Sequence, residues 1–267
     1  MAALSPMRKT RSSLEISRSV LGALFLRESL GRLSSGRAAW LWLLAEPVLH
    51  ISFMLFIFTV IRVRSVGGID SLLWLMLGML GFFLFRRTGT QVSNAVSANK
   101  ALFTYRQVLP IDTLLVRAFL EGFLMIFVAG ILLAGAALLG YSVLPADPLA
   151  ALEAFAVLWL LGLGFGLVAC VASELVPELG RIINFVMMPM YLLSGVLFPL
   201  SAVPMPYREW LMLNPVAHGL EAARLAFAPH YHVVDGLSIS YMYGCALAGV
   251  FLGLALQRRF ATRLVTQ

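Results

Sequence analysis

The chain has 267 residues, a formal charge of +7, 60% hydrophobic residues and only 12% charged residues. A soluble domain carries roughly 25% charged residues to solvate its surface, so water is excluded as the main solvent. The basic balance points to anionic lipid headgroups rather than nucleic acid, because most arginines flank apolar runs instead of forming one basic face.

At the N-terminus Arg8, Lys9 and Arg11 are followed by a mixed segment, and no sustained apolar run begins before Ala38. This is not the pattern of a cleavable signal. The chain divides into a leader, 1–37, and a membrane domain, 38–267. Within the leader, Leu14, Val20, Leu21, Leu24 and Phe25 share one helical face, with Arg11, Glu15, Arg18 and Ser19 opposite. That pattern predicts a helix lying in the membrane interface, although Glu28 and Arg32 fall on the stripe beyond Phe25.

Six segments then read as membrane spans: about 38–61, 70–85, 113–140, 150–173, 182–199 and 238–257. The second and fifth are short for a bilayer core of about 30 Å at a rise of about 1.5 Å per residue. With the N-terminus in the cytoplasm, sixteen of the twenty Lys and Arg residues lie in cytoplasmic segments. Only Arg62, Arg64, Arg208 and Arg224 remain outside, which satisfies the positive-inside rule and places both termini in the cytoplasm. The fold expected is an all-α membrane protein.

The longest cytoplasmic connection, Arg86 to Asp112, is polar and ends at Pro110. A long external connection, about 200–237, carries Pro204, Pro206, Pro215 and Pro229 around the apolar stretch Trp210 to Phe227. Short helices that enter the outer leaflet and return are expected there, with their ends shielded by protein or water.

Glu46 and Glu121 each lie eight residues into a predicted span, about 12 Å deep. Carboxylates there are expected to face protein or water and to find partners, as buried anchors between helices or as gating groups. Arg117, four residues before Glu121, supplies one such partner, whereas none is evident for Glu46. His50 follows Glu46 by one turn, but no relay continues beyond it.

Gly162, Gly166 and Cys170, and again Gly249 and Gly253, have the small-residue spacing of closely packed or dimerising membrane helices. Cys170 and Cys245 lack pairing or ligand spacing, and His230 with His232 makes a poor metal site, so no metal is expected. Trp40, Trp42, Trp74 and Trp210 sit near span ends and read as an interfacial belt. Phe53, Phe56, Trp159 and Tyr191 lie deeper and are candidates either for core packing or for stacking on sugar rings. No phosphate-binding loop is present, since neither Lys9 nor Lys100 ends such a motif, so ATP chemistry would belong to another chain.

Several strings resemble the type-2 ABC exporter permeases, most closely the capsular polysaccharide export permeases of Gram-negative bacteria. They are Leu26-Arg27-Glu28, Trp42 to Pro47, Ala98 to Gln107 followed by Pro110 to Asp112, and Asn214 to Arg224. The resemblance implies a homodimeric, non-enzymatic permease that moves a lipid-linked acidic polysaccharide across the inner membrane. It implies a separate cytoplasmic ATPase holding ATP and Mg, with no cofactor in this chain. An envelope-spanning co-polymerase and an outer-membrane export protein would continue the path. It maps an ATPase-coupling loop onto Asn99, Lys100, Phe103, Tyr105 and Arg106, and an external re-entrant region onto Asn214, His218, Glu221 and Arg224. O-antigen or teichoic acid export would share this architecture; a secondary transporter would require midplane sites that the sequence does not display.

Overall fold

The computed structural model describes residues 13–34, 39–60, 65–105 and 107–266. Arg8, Lys9, Arg11, Arg37, Arg62, Arg64 and Arg106 lie outside them, as do the side chains of Leu14 and Trp40.

The protein is α-helical. Its helices are α1 (Ser13–Ser34), α2 (Ala39–Val60), α3 (Ser71–Ser93), α4 (Ala95–Asn99), α5 (Pro110–Leu138), α6 (Pro148–Leu175), α7 (Pro177–Leu193), α8 (Tyr207–Leu211), α9 (Pro215–Phe227), α10 (Ile239–Arg259) and α11 (Ala261–Thr266). Two two-residue strands, β1 (Ser65–Val66) and β2 (Ile69–Asp70), form a hairpin ahead of α3. Helix starts follow local chemistry. Pro110, Pro148, Pro177 and Pro215 open four helices at the position where a missing N–H costs nothing. The carboxylates of Asp70 and Asp147, the Asn214 amide and the Ser238 hydroxyl accept from otherwise unpaired N–H groups of α3, α6, α9 and α10.

Among the described residues five helices, α2, α3, α5, α6 and α10, are long and apolar enough to cross a membrane. The fifth expected span, 182–199, falls on α7, which is not among these five and whose 17 residues reach about 26 Å. The bounds of two spans differ from the sequence reading. The second span runs on through Arg86 and Arg87 to Ser93 instead of stopping at 85, because Arg87 is neutralised by a carboxylate on α5 and its charge does not end the helix. The fifth begins at Pro177 rather than 182 and stops before Gly195, whose φ of 73° turns the chain.

Helix α3 is the axis of the fold. It is buried at every position from Ser71 to Phe85 and packs on α2, α5, α6 and α9. Trp74 lies in this core and not in an interfacial belt, whereas Trp42 and Trp210 are exposed. The correction follows from α9, which folds over the start of α3 and removes Trp74 from lipid.

The small-residue spacings serve contacts inside the chain. Gly162 and Gly166 admit the backbone of α3 at Phe85 and Gly89, and Gly249 and Gly253 receive α6 at Gly164 and Leu167. A Cβ on Gly164 would sit 2.8 Å from the Val250 nitrogen and 2.9 Å from the Gly249 carbonyl carbon, neither of which can yield as a side chain can. Gly164→Val is therefore expected to cost about 1–3 kcal/mol of stability by overpacking. Thermal unfolding of detergent-purified protein checks this, with Gly244→Ala as a neutral control because a Cβ there meets nothing within 4 Å. Equal melting of the two variants would contradict the α6–α10 contact.

Candidate functional site

One end of the bundle carries a lattice of charges drawn from α1, α3 and α5. Its centre is Glu121 of α5, which is 0% exposed. Arg87 of α3 donates from Nε to Glu121 Oε2 at 3.0 Å, and Arg32 of α1 donates from Nη1 to Glu121 Oε1. Arg32 also donates to the Gln91 side-chain oxygen at 3.2 Å and lies 3.6 Å from Glu28. Arg117 does not pair with Glu121 as the four-residue spacing suggests. Its Nε lies 2.8 Å from Glu28 Oε1, and its Nη1 donates to the carbonyl oxygens of Gln91 and Asn94. The physical reason is α1: it lays Glu28 against Arg117 and leaves Glu121 to two other arginines.

This lattice explains why the apolar stripe of α1 degrades. Leu24 is buried against the protein, and Glu28 and Arg32 continue the same protein-facing side. Exposed Leu26, Leu30 and Leu33 form the outward apolar face instead. The lattice gathers three arginines around two carboxylates, so each buried charge has an opposite neighbour, the condition under which buried ions are tolerated.

The segment after α3 hangs on the same lattice. Asn99 is buried and accepts from Arg27 Nη1 at 3.1 Å, while its own amide donates to the Ala95 carbonyl. Lys100 pairs with Glu174 at 3.2 Å. Phe103 is buried, and Tyr105 is 67% exposed. Of the candidate coupling residues, then, Asn99 and Phe103 hold the loop on the protein, Tyr105 faces outward, and Arg106 lies outside the described residues.

Beside the lattice a cleft of about 510 Å³ opens between α2 and α3. Its walls include Glu46 and His50 on one side and Phe83, Arg86, Arg87 and Gln91 on the other. Glu46 and His50 are both exposed to it, and the His50 ring lies 5.4 Å from that of Phe83. Tyr191 of α7 packs behind, 6.3 Å from Phe83 and 5.2 Å from Phe82. Of two further furrows, one of about 520 Å³ between α5 and α6 is lined almost wholly by apolar side chains, and one of about 580 Å³ between α2 and α5 adds only the hydroxyls of Ser52, Thr59 and Tyr141 and carries no charge. The α2–α3 cleft thus combines charge, hydroxyl and amide groups with an aromatic ring.

The other sugar-stacking candidates separate. Phe53 and Phe56 project from the free face of α2, 58% and 66% exposed. Trp159 is committed to the fold, since its Nε1–H donates to the Ala118 carbonyl at 2.8 Å and its ring packs on Phe119.

At the opposite end the residues expected in a re-entrant region form an interior lock. Arg224 of α9 is fully buried, with its guanidinium 3.8 Å from the centre of the Trp74 ring. It donates to Glu221 Oε1 at 2.8 Å, to the Gly195 carbonyl at 2.9 Å and to the Trp74 carbonyl at 3.3 Å. The Tyr231 hydroxyl donates to the same Glu221 oxygen at 3.1 Å and accepts from Trp74 Nε1–H at 3.2 Å. Burial, reinforced by the Glu221 carboxylate, pushes the Tyr231 phenol up to about 12, so it stays a donor. His218 Nδ1 accepts from the Ser238 N–H at 3.1 Å, which leaves Nε2–H to donate to the Met212 carbonyl at 2.7 Å. Asn214 donates to the Ser194 hydroxyl at 2.8 Å, tying the start of α9 to the end of α7.

Comparison with known proteins agrees with this architecture. The ABC-2 type transporter family matches residues 19–228. The polysialic acid transport protein KpsM of Escherichia coli is 32% identical, over 96% of this chain and 99% of that protein. The capsule polysaccharide export inner-membrane protein CtrC of Neisseria meningitidis is 28% identical, over 93% of this chain and 94% of its own. The corresponding protein BexB of Haemophilus influenzae is 26% identical, over 96% and 97%. With a multi-pass helical membrane fold and a family match over most of its length, the chain belongs to the ABC-2 type transporter family.

Proposed function

We propose that the chain is the inner-membrane permease of an ATP-driven exporter of lipid-linked capsular polysaccharide. The observation that carries this reading is similarity over more than nine tenths of both chains to relatives named for polysialic acid transport or capsule export. The charged end of the bundle then lies in the cytoplasm with both termini. Two parts follow in the proposal: the leader 1–37 with its interfacial helix, and the permease domain 38–267, in which α8 and α9 are short external re-entrant helices. At 13 residues α9 reaches about 20 Å, too short to span, and α3, α6 and α10 surround it.

The permease works as a homodimer with one separate ATPase per chain, which holds ATP and Mg; an envelope-spanning co-polymerase and an outer-membrane protein carry the glycan onward. The segment from Asn99 to Arg106 docks the ATPase. Exposed Tyr105 makes the contact, while Lys100, Asn99 and buried Phe103 keep the loop in register. Phe53 and Phe56 offer their free rings to passing sugars, whereas Trp159 packs α6 on α5 and Tyr191 packs α7 on α3.

The test is capsule formation in a capsulated strain lacking its own permease. The wild-type chain, supplied with its ATPase, is expected to restore surface glycan, and Tyr105→Ala to lower both export and ATPase co-purification several-fold at normal membrane levels. Cysteines at Ser97 and Asp147 provide the topology check, the first shielded from an impermeant thiol reagent in spheroplasts and the second labelled. No surface glycan with the wild-type chain, or labelling at Ser97, would overturn this reading.

A further inference from the structure

Arg86 and Arg87 are consecutive, yet they do different work. Arg87 is neutralised by Glu121. Arg86 is exposed, lines the α2–α3 cleft, and has no ion pair among the described residues. Its position, fifteen residues after Ser71, puts it about 22 Å along α3 from the far end. In a bilayer core of about 30 Å that leaves it about 8 Å short of the near leaflet's headgroups. A guanidinium at that depth is tolerated where its stem lies along apolar surface and its head reaches water or an anion.

The opposite wall bears Glu46, which also lacks an ion-pair partner among the described residues. The two charges stand apart across an open cleft of about 510 Å³ instead of closing on each other. Between them the wall offers the Phe83 ring, the His50 imidazole, the Thr90 hydroxyl and the Gln91 amide. Gln91 uses its oxygen for Arg32, which leaves its NH₂ group for a ligand.

This set of groups has a chemical counterpart. A guanidinium takes a phosphate or carboxylate oxygen pair in bidentate fashion. A carboxylate on the far wall repels an anion but accepts hydrogen bonds from hydroxyls; on the Arg86 wall the Gln91 amide can donate to a polyol, and the Thr90 hydroxyl, whose proton goes to the Arg86 and Arg87 carbonyls, can accept. Phe83, buried against His50 and Tyr191, gives the cleft an apolar floor for the carbon face of a sugar or glycerol unit. We propose that the α2–α3 cleft binds the anionic headgroup of a membrane-delivered glycolipid, with Arg86 holding its acidic group and Glu46 and Gln91 holding the hydroxyls beside it. The proposal rests on the export reading and names where the lipid-proximal end of the substrate first docks. Arg86 is thereby a specificity-determining residue, selecting acidic over zwitterionic headgroups.

The experiment uses the full chain in nanodiscs of phosphatidylcholine doped with phosphatidylglycerol, whose phosphate and two hydroxyls supply the required chemistry. Retained lipid is read by native mass spectrometry. Phosphatidylglycerol is expected to be retained by the wild type and by Arg86→Lys, and to be lost about tenfold more readily from Arg86→Gln, the size of one charged hydrogen-bond pair. Arg208→Gln, on the external connection, is expected to behave as wild type. Retention unaffected by excess glucose 1-phosphate supports delivery from the membrane; displacement of the lipid by that soluble sugar phosphate would overturn it. Equal retention by wild type and Arg86→Gln, or equal retention of phosphatidylcholine and phosphatidylglycerol by the wild type, would overturn the site. In the capsule assay the two readings separate. Failure of the wild-type chain strikes the export function, whereas wild-type export by Arg86→Gln strikes this inference alone.

Discussion

Glu121→Leu is expected to abolish export and to lower the stability of the purified protein by about 3–5 kcal/mol, the cost of removing one partner from a buried ionic group. The carboxylate is 0% exposed and shared by Arg32 and Arg87, so leucine leaves two guanidinium groups facing each other in a site built for a negative charge. Glu121→Gln keeps an oxygen acceptor and should fall between leucine and wild type. Adding Arg87→Leu to Glu121→Leu should recover part of the loss, because Arg87 has no other carboxylate among the described residues, whereas Arg32 keeps Glu28 at 3.6 Å. Size-exclusion profiles after a heat challenge, alongside surface glycan per permease in the membrane, measure both effects. Wild-type behaviour of Glu121→Leu would show that α1 is not anchored through this carboxylate.

The second large effect is expected at the opposite end. Arg224→Leu removes at once the partner of Glu221 and the donors to the Gly195 and Trp74 carbonyls, all in a fully buried position. A loss of about 3–5 kcal/mol follows from the unpaired carboxylate alone. Arg224→Lys is expected to be nearly as harmful, since an ammonium cannot reproduce a planar fork lying on the Trp74 ring while reaching Glu221 and two carbonyls. A double Glu221→Leu, Arg224→Leu variant should regain stability relative to Arg224→Leu by eliminating the orphaned charge. Melting temperatures of the three variants form the test, and a lysine variant as stable as wild type would contradict the stacked, three-acceptor geometry.

Much of the architecture was legible from the apolar runs, because lipid imposes its length requirement locally and the caps lie beside the helices they start. The limits show where non-local partners intervene. Reading a span up to its first charge ended the second helix at 85, yet Arg87 finds Glu121 and the backbone ladder continues to Ser93. The one-turn spacing of Arg117 and Glu121 suggested a pair, but α1 competes for both, and nothing in the chain order announces that Arg32 will meet a residue 89 positions away. A signal was present in the leader: Glu28 and Arg32 interrupting an apolar stripe mark a face turned towards charged protein rather than lipid.

The candidate sites divide in the same way. Glu221 and Arg224 are separated by one helical turn, so their pairing was accessible from spacing, but their burial on Trp74 depends on how α9 folds over α3. Trp74 itself, near a span end, had the sequence signature of an interfacial residue and lies in the core. Asn99 and Phe103 belong visibly to a polar connection, while the division between residues that hold the loop and those that face outward depends on the fold. In the sequence Arg86 has only the character of a flanking charge, since its contrast with Arg87 emerges once Glu121 has taken one of the two.

The central claim is that this chain forms a transmembrane path for a lipid-linked glycan and draws its energy from a separate ATPase. Its most direct test is translocation in sealed vesicles reconstituted with the purified chain, its ATPase and labelled lipid-linked capsular glycan. ATP-dependent transfer of label across the bilayer is expected only when both proteins are present, and is expected to disappear with Glu121→Leu. Transfer by the chain alone without ATP, or no transfer when both proteins, ATP and Mg are supplied, would contradict the account.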